Sequence, residues 1–167
     1  MNIVLSPIKP SEEHLVLTLF KEAAEKISKK DIDHWQYWKN PPIEKIKWVR
    51  EGILNNEFFF IKNAKQQTIG MIRVLEKDLL YWGKKNDNSK YIHSLVIIEK
   101  LEGKGMGKIV LQKIESDAKK SGCTYLRLDA DSKNPKLCSY YEKQGFKKVG
   151  TKKLPLSTYN LYQKEIK

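Results

Sequence analysis

Apolar residues recur along this chain in two rhythms, one of period two and one of about 3.6. Residues 2 to 8 alternate as a strand does, and Pro10, Ser11, Glu12 and Glu13 make a helix start, after which Leu15, Leu19, Ala23 and Ile27 fall at helical spacing. Residues 31 to 42 break that period with Trp35, Tyr37, Trp38 and paired prolines, and Ile43, Ile46, Val49 and Ile53 restore it as a second helix. Residues 58–62 and 68–75, joined by the polar stretch 63–67, predict a hairpin. Residues 91–98 are apolar, rich in β-branched side chains and too short for a helix, which predicts a strand in the middle of the sheet. Met106, Val110, Ile114 and Ala118 then describe one face of a helix that Gly122 stops, and residues 124–130 form a further strand. Asn134 and Pro135 supply an N-cap and a first-turn proline for a short helix through Lys143, and residues 146–150 and 159–166 complete the sheet. No repeat, linker or low-complexity tract interrupts the series, so residues 1–167 are expected to form a single domain.

Composition narrows the function classes. With 167 residues, 40% hydrophobic and 31% charged, the chain can bury one core and is neither a disordered tail nor a fibre. No apolar run approaches the ~18 residues that cross a bilayer. The first ten residues lack a basic segment followed by an apolar one, and Cys123 and Cys138 form neither a metal-ligand spacing nor a disulfide framework. A cytoplasmic protein with no membrane partner and no metal is expected. The net charge of +12 favours polyanions, but of 32 basic residues only Arg50, Arg73 and Arg127 are arginines, and the lysines are spread along the chain. No nucleic-acid partner is expected, because base readout and bidentate phosphate contacts lean on arginine.

The chemistry concentrates between the central strand and the helix that follows it, at Glu102-Gly103-Lys104-Gly105-Met106-Gly107. Closely spaced glycines let the backbone turn tightly and aim several N–H groups at one point, and the helix N-terminus adds partial positive charge. Such a turn suits a pyrophosphate. A P-loop would need a lysine and a hydroxyl residue after the last glycine, but Lys108 and Ile109 follow Gly107. A dinucleotide fingerprint would need a third glycine at a spacing this chain does not have.

Two separated segments, Leu95-Val96-Ile97 with the loop Gly103-Lys104-Gly105-Met106-Gly107, and Asn134 through Tyr140-Tyr141-Glu142-Lys143-Gln144-Gly145-Phe146, occur in order within residues 91–150. In this the chain resembles the GNAT superfamily of N-acetyltransferases. The resemblance implies an α/β fold with a mixed, mostly antiparallel twisted sheet of about six to seven strands and about four helices. It also implies acetyl coenzyme A as co-substrate. The pyrophosphate would lie against Gly103, Lys104, Gly105, Met106, Gly107 and Lys108. The pantetheine arm would pair with the backbone of Leu95, Val96 and Ile97, where an N–H polarises the thioester carbonyl. Tyr141 matches the tyrosine that protonates the departing thiolate in many members, and Asn134 matches an asparagine that reaches the pantetheine or pyrophosphate while it caps its helix. The family loop opens with Arg or Gln where this chain has Glu102, a carboxylate expected to point outward or to cap the helix.

For the acceptor, an alkyl ammonium of reference pKa ~10 must lose a proton before it attacks. His93, two residues before Leu95 and expected on the same strand face, is the candidate base. The family places acceptor selection in the loop between the first two helices, here Asp33, Trp35 and Trp38 with Asp31, His34 and Tyr37; rings and carboxylates there would hold a cationic amine, or the rings would form a lid over the core. The implied reaction is direct transfer, in a ternary complex, to a primary amine of a small molecule or peptide, with neither cysteine as acyl carrier, in a monomer or homodimer. The rivals are a non-catalytic acyl coenzyme A binding or sensing module and a basic nucleic-acid binder.

Overall fold

Four-residue steps along a helix advance by 400°, so a stripe built only on them winds slowly off one face. The computed structural model, which describes residues 1–167, shows this in the first helix, α1 (Glu13–Ser28): its buried residues are Val16, Phe20, Ala23 and Ala24, at the mixed spacing of a core-facing helix, while Leu15 is exposed. Four more helices follow: α2 (Ile43–Leu54), α3 (Leu79–Trp82), α4 (Met106–Lys120) and α5 (Pro135–Lys143). The strands are β1 (Val4–Pro7), β2 (Phe58–Lys62), β3 (Thr68–Leu75), β4 (Ser89–Ile97), β5 (Tyr125–Asp131), β6 (Lys147–Lys153) and β7 (Thr158–Glu165). They form one seven-stranded sheet in the order β1-β2-β3-β4-β5-β7-β6, with β4 in the middle. The β4–β5 pairing is parallel, and the β1–β2, β2–β3, β5–β7 and β6–β7 pairings are antiparallel. No helix is long and apolar enough to cross a membrane.

The chain divides into two compact units that alternate along it, residues 1–73 with 94–110 and residues 74–93 with 111–167. In the first unit, Val16, Phe20 and Ala24 of α1 pack with Val49, Phe58, Met71 and Trp38. The Trp38 and Phe20 rings stack with centroids 4.0 Å apart. Gly70 of β3 is required by a close approach: a Cβ there would lie 2.1 Å from the Val96 carbonyl oxygen, so only glycine lets β3 run this near to β4.

The second unit is organised by β5. Its parallel ladder with β4 joins Ser89–Ile92 to Tyr125–Leu128, and along its full length it pairs with β7. Ile114 and Ala118 of α4 are buried as the spacing predicts. Arg127 is almost fully buried, and its guanidinium makes two hydrogen bonds to the Asp87 carboxylate, at 2.7 and 2.9 Å, and one each to Gln163 and the Tyr91 hydroxyl. β6 runs three residues past the predicted end. Its sequence, rich in lysine and mostly exposed, carries no alternating pattern to mark it, and pairing with β7 alone defines it.

Candidate active site

The residues after β4 make a short 3-10 turn (Glu99–Leu101) and then an exposed stretch, Glu102 to Gly105, before α4 begins. Gly103 and Gly105 have φ of 72° and 75°, in the left-handed region that glycine enters without a Cβ penalty. A Cβ added at either would meet nothing within 4 Å, so both glycines face open space. The Lys104 amide bonds back to the Leu101 carbonyl and the Ile109 amide to Gly105. The amides of Gly103, Gly105, Met106, Gly107 and Lys108 are engaged by no turn or loop carbonyl. Five backbone donors therefore stand unspent around one turn, at the positive end of a 15-residue helix.

Glu102, the residue that departs from the expected loop, is drawn to the end of α1. Its carboxylate is hydrogen-bonded to Lys30 and lies 3.6 Å from the Lys26 ammonium. Lys30 and then Lys26 hold its carboxyl below the usual carboxylate range. The negative charge is thus neutralised by α1 rather than presented bare to an anion at the loop. Lys26 also donates to the Ile97 carbonyl at 3.4 Å, which ties α1 to the end of β4. A cavity of about 250 Å³ lies between these elements, and its lining includes Ala23, Lys26, Val96 and Ile97 together with Glu22, Glu25 and Glu99.

β4 changes character at its midpoint. The ladder with β5 ends at Ile92, and Ser94 has a φ of 56°, a left-handed conformation inside a strand. Such a residue interrupts the alternation of faces. The two-residue spacing from His93 to Leu95 therefore does not by itself fix a shared face. It also leaves the backbone of Leu95, Val96 and Ile97 outside that ladder; Val96 is buried there and its two neighbours are partly exposed.

His93 lies in a carboxylate cluster. Its Nε2 is 2.6 Å from Asp78 Oδ2 and its Nδ1 is 3.4 Å from Asp129 Oδ1; the three side chains are 14%, 5% and 11% exposed respectively. The 2.6 Å contact is a short hydrogen bond between the ring and Asp78. Asp78 reaches this place as the N-cap of α3, where its other oxygen accepts from the Tyr81 amide. Burial, together with the charge of Asp78, pushes the Asp129 carboxyl up to about 6 against the opposing pull of His93. The Tyr81 ring covers His93 at 5.1 Å and meets Tyr159 edge-on.

Tyr141 projects from α5, whose start is fixed as expected: the Asn134 side chain accepts from the Leu137 amide, and Pro135 follows. The Tyr141 ring packs against Tyr140, Phe146 and Tyr162, and its hydroxyl bonds to no other group of the chain. Burial first, and then the negative charge of Asp129, raise its pKa, so the phenol stays protonated. Asp78, Asp129, Lys26 and Lys30 were not candidates from sequence. Asp129 sits in an alternating strand where a polar residue is ordinarily solvated, and only the burial of both faces of β5 sets it apart.

The proposed acceptor loop is a left-handed Trp35 followed by a 3-10 turn, Gln36–Lys39, held down by the Gln36 amide donating to the Ala24 carbonyl. Asp33 is exposed and Trp35 half-buried, packed edge-on against Phe20. Trp38, stacked on Phe20 with 3% of its surface exposed, is a core residue. Cys123 and Cys138 are both buried and unpaired. Native protein is accordingly expected to resist iodoacetamide, with both thiols labelled only after unfolding. Mass spectrometry of the intact chain checks this, and an acetylated cysteine trapped with acetyl coenzyme A would contradict direct transfer.

Comparison with known proteins bears on the loop, strand and helix together. The chain is 28% identical over 120 residues to an uncharacterized N-acetyltransferase, YesJ, of Bacillus subtilis; the match covers 69% of this chain and 65% of that protein's length. Among solved structures, a GNAT family acetyltransferase from Listeria monocytogenes superposes with a TM-score of 0.79 at 18% identity, covering 98% of this chain and 94% of the other. The aminoglycoside acetyltransferase AAC(6')-Ib, solved with coenzyme A and kanamycin, superposes with a TM-score of 0.73 at 16% identity, covering 98% and 95%. These two likenesses show the fold. The sequence model of the acetyltransferase (GNAT) family matches residues 19–146, a span that runs from the middle of α1 through the glycine loop to the end of the α5 segment, and the chain belongs to that family.

Proposed function

We propose that this protein moves an acetyl group from acetyl coenzyme A to a primary amine of a small molecule or peptide by direct attack in a ternary complex. The observation that carries the reading is the turn at residues 103–108, whose five unspent amides and two open glycine positions suit a diphosphate. Lys104 and Lys108, both exposed, add positive charge there. The backbone of Leu95–Ile97 lies outside the β5 ladder, which suits pairing with the pantetheine arm as a further strand would pair, with an N–H offered to the thioester oxygen as it gains charge.

The attacking nitrogen must be neutral, and the thiolate that leaves must be protonated. Tyr141 suits the second task, because its hydroxyl is unengaged and its proton is retained across the working range. The cluster around His93 suits uptake of the proton that the nitrogen sheds as the amide forms. A coenzyme A and kanamycin complex of a structural neighbour supports small cationic amines as the acceptor class. Glu22, Glu25 and Glu99 beside the cavity, and Asp33 and Trp35 on the loop after α1, suit such a cation.

An acetylation screen tests this: a panel of polyamines, aminoglycosides, amino acids and peptide amines, each with acetyl coenzyme A and a thiol-detecting reagent. The expected result is enzyme-dependent thiol release with at least one amine and one acetyl group found on its nitrogen. Tight coenzyme A binding with no thiol release from any amine would instead make the protein an acyl coenzyme A binding module.

A further inference from the structure

We propose that Asp129, not His93, accepts the proton that leaves the acceptor amine, that Asp78 and His93 position it, and that its neutralisation readies Tyr141 to act as the acid. The inference rests on the acetyltransferase reading above. Each nitrogen of the His93 ring faces a carboxylate. Nε2 is hydrogen-bonded to Asp78, and Nδ1 is turned toward Asp129. Both ring nitrogens are thus directed at carboxylates within the cluster. Asp129 differs: its Oδ1 is buried with no hydrogen-bond partner, while 11% of the side chain remains exposed. A buried acceptor that no donor satisfies is costly, and taking up a proton relieves that cost. The ligand atoms of Asp78, His93 and Asp129 lie within 4.8 Å of one another, but the 2.6 Å contact joins two of them directly, as a proton-sharing chain does.

The groups that face Asp129 come from every neighbouring element: His93 on β4, Asp78 before α3, Tyr141 on α5 and Tyr159 on β7. Their balance holds the carboxyl near 6, so it is ionised at neutral pH and is still basic enough to be protonated during turnover. Since His93 and Asp129 interact, the midpoint belongs to the pair. The ionised Asp129 opposes ionisation of Tyr141. Once Asp129 is protonated that opposition ends, and Tyr141 becomes the stronger acid at the step that needs it.

The step balances. The ammonium first releases one proton to water; as the neutral amine attacks, one further N–H bond breaks and its proton forms an O–H bond on Asp129. The nitrogen bonds to the acetyl carbon, the carbon–sulfur bond breaks, and sulfur takes the phenolic proton of Tyr141. Return of the Asp129 proton to the tyrosinate restores both groups and leaves an amide and a free thiol.

The test compares wild type with Asp129→Asn, His93→Gln and Asp129→Asn/Tyr141→Phe, using the amine panel above and thiol release from pH 5 to 9. Asn is close to isosteric, and removing an ionised buried carboxylate holds or raises the melting temperature at pH 8, which verifies the fold. Wild type is expected to lose kcat as pH falls through about 6. Asp129→Asn should lower kcat by about a hundredfold and abolish that limb, with coenzyme A affinity unchanged. His93→Gln should move the limb and cost less. The double variant should lose little more than the worse single one, since the two groups act as a unit. Wild-type kcat and pH limb in Asp129→Asn would overturn the proposal and leave the acetyltransferase reading standing. Absence of thiol release from wild type itself would overturn both. Loss of turnover in EDTA, restored by zinc or manganese, would replace the proton chain with a metal centre.

Discussion

Replacing Tyr141 with phenylalanine is expected to lower kcat about a hundredfold, the usual scale for a positioned proton donor, and to leave coenzyme A affinity and the melting temperature unchanged. The structure separates these effects. The ring is held by Tyr140, Phe146 and Tyr162, and phenylalanine preserves those contacts, whereas the hydroxyl is bonded to nothing in the chain that its removal would leave unsatisfied. The phenol's raised pKa keeps it in the donor form, so its ionisation should add no falling limb to the rate profile at moderately alkaline pH. Without it the leaving group departs as a bare thiolate, whose conjugate acid has a reference pKa of ~8.5, and collapse back to the thioester competes. Single-turnover thiol release against pH, for wild type and variant, reads the effect. Equal rates would remove Tyr141 from the chemistry.

Arg127→Ala should be among the most destabilising single changes in the second unit, at about 3 kcal/mol, because it removes an almost fully buried guanidinium and leaves the partly exposed Asp87 carboxylate, Gln163 and the Tyr91 hydroxyl without their shared donor. For a chain of this length that is a fall in melting temperature of roughly 10 °C. The guanidinium holds Asp87, Gln163 and the Tyr91 hydroxyl at once and lies against the faces of Trp82, Tyr125 and Tyr91 at 4.9 to 5.6 Å. Arg127→Met, which keeps the stem and drops the charge, should cost less. The pH dependence has a defined sign. Hydrogen bonding to Arg127 holds the Asp87 carboxyl below its ordinary value, so the pair's contribution is present above pH ~4 and is lost as pH falls through the depressed folded value. Wild type and Arg127→Ala should therefore converge in stability in acid, and melting curves from pH 7 down to 3 check it.

What the sequence makes legible is local. Gly103 and Gly105 mark a turn because few other residues enter the left-handed region, Met106 to Ala118 mark a helix by their spacing, and Asn134 with Pro135 mark a helix start. These signals lie within a few residues of one another. What stays hidden depends on distant partners. α3 is one turn long, too short for a period, and matters through Asp78 at its cap. The cluster of Asp78, His93 and Asp129 exists because the β4–β5 register and that cap bring three separated residues together. Ser94 gives no composition signal for its left-handed φ, yet that residue interrupts the strand alternation. Trp38 looks like a ligand platform in sequence and is core in the fold, because Phe20 on α1 offers it a stacking surface. Glu102 looks hostile to an anion until Lys26 and Lys30 are seen to neutralise it.

The account stands on the turn that follows β4, and calorimetric titration of coenzyme A into wild type and Gly105→Val tests it most directly. Gly105 has a φ of 75° and faces open space, so valine there strains the turn without disturbing the packed interior. The predicted result is one coenzyme A per chain for wild type, at least about tenfold weaker binding for Gly105→Val, and a variant that still unfolds cooperatively with its melting temperature lowered only by the strain of the left-handed φ. Wild type that takes up no coenzyme A, or a variant that binds it as tightly as wild type, would contradict the account.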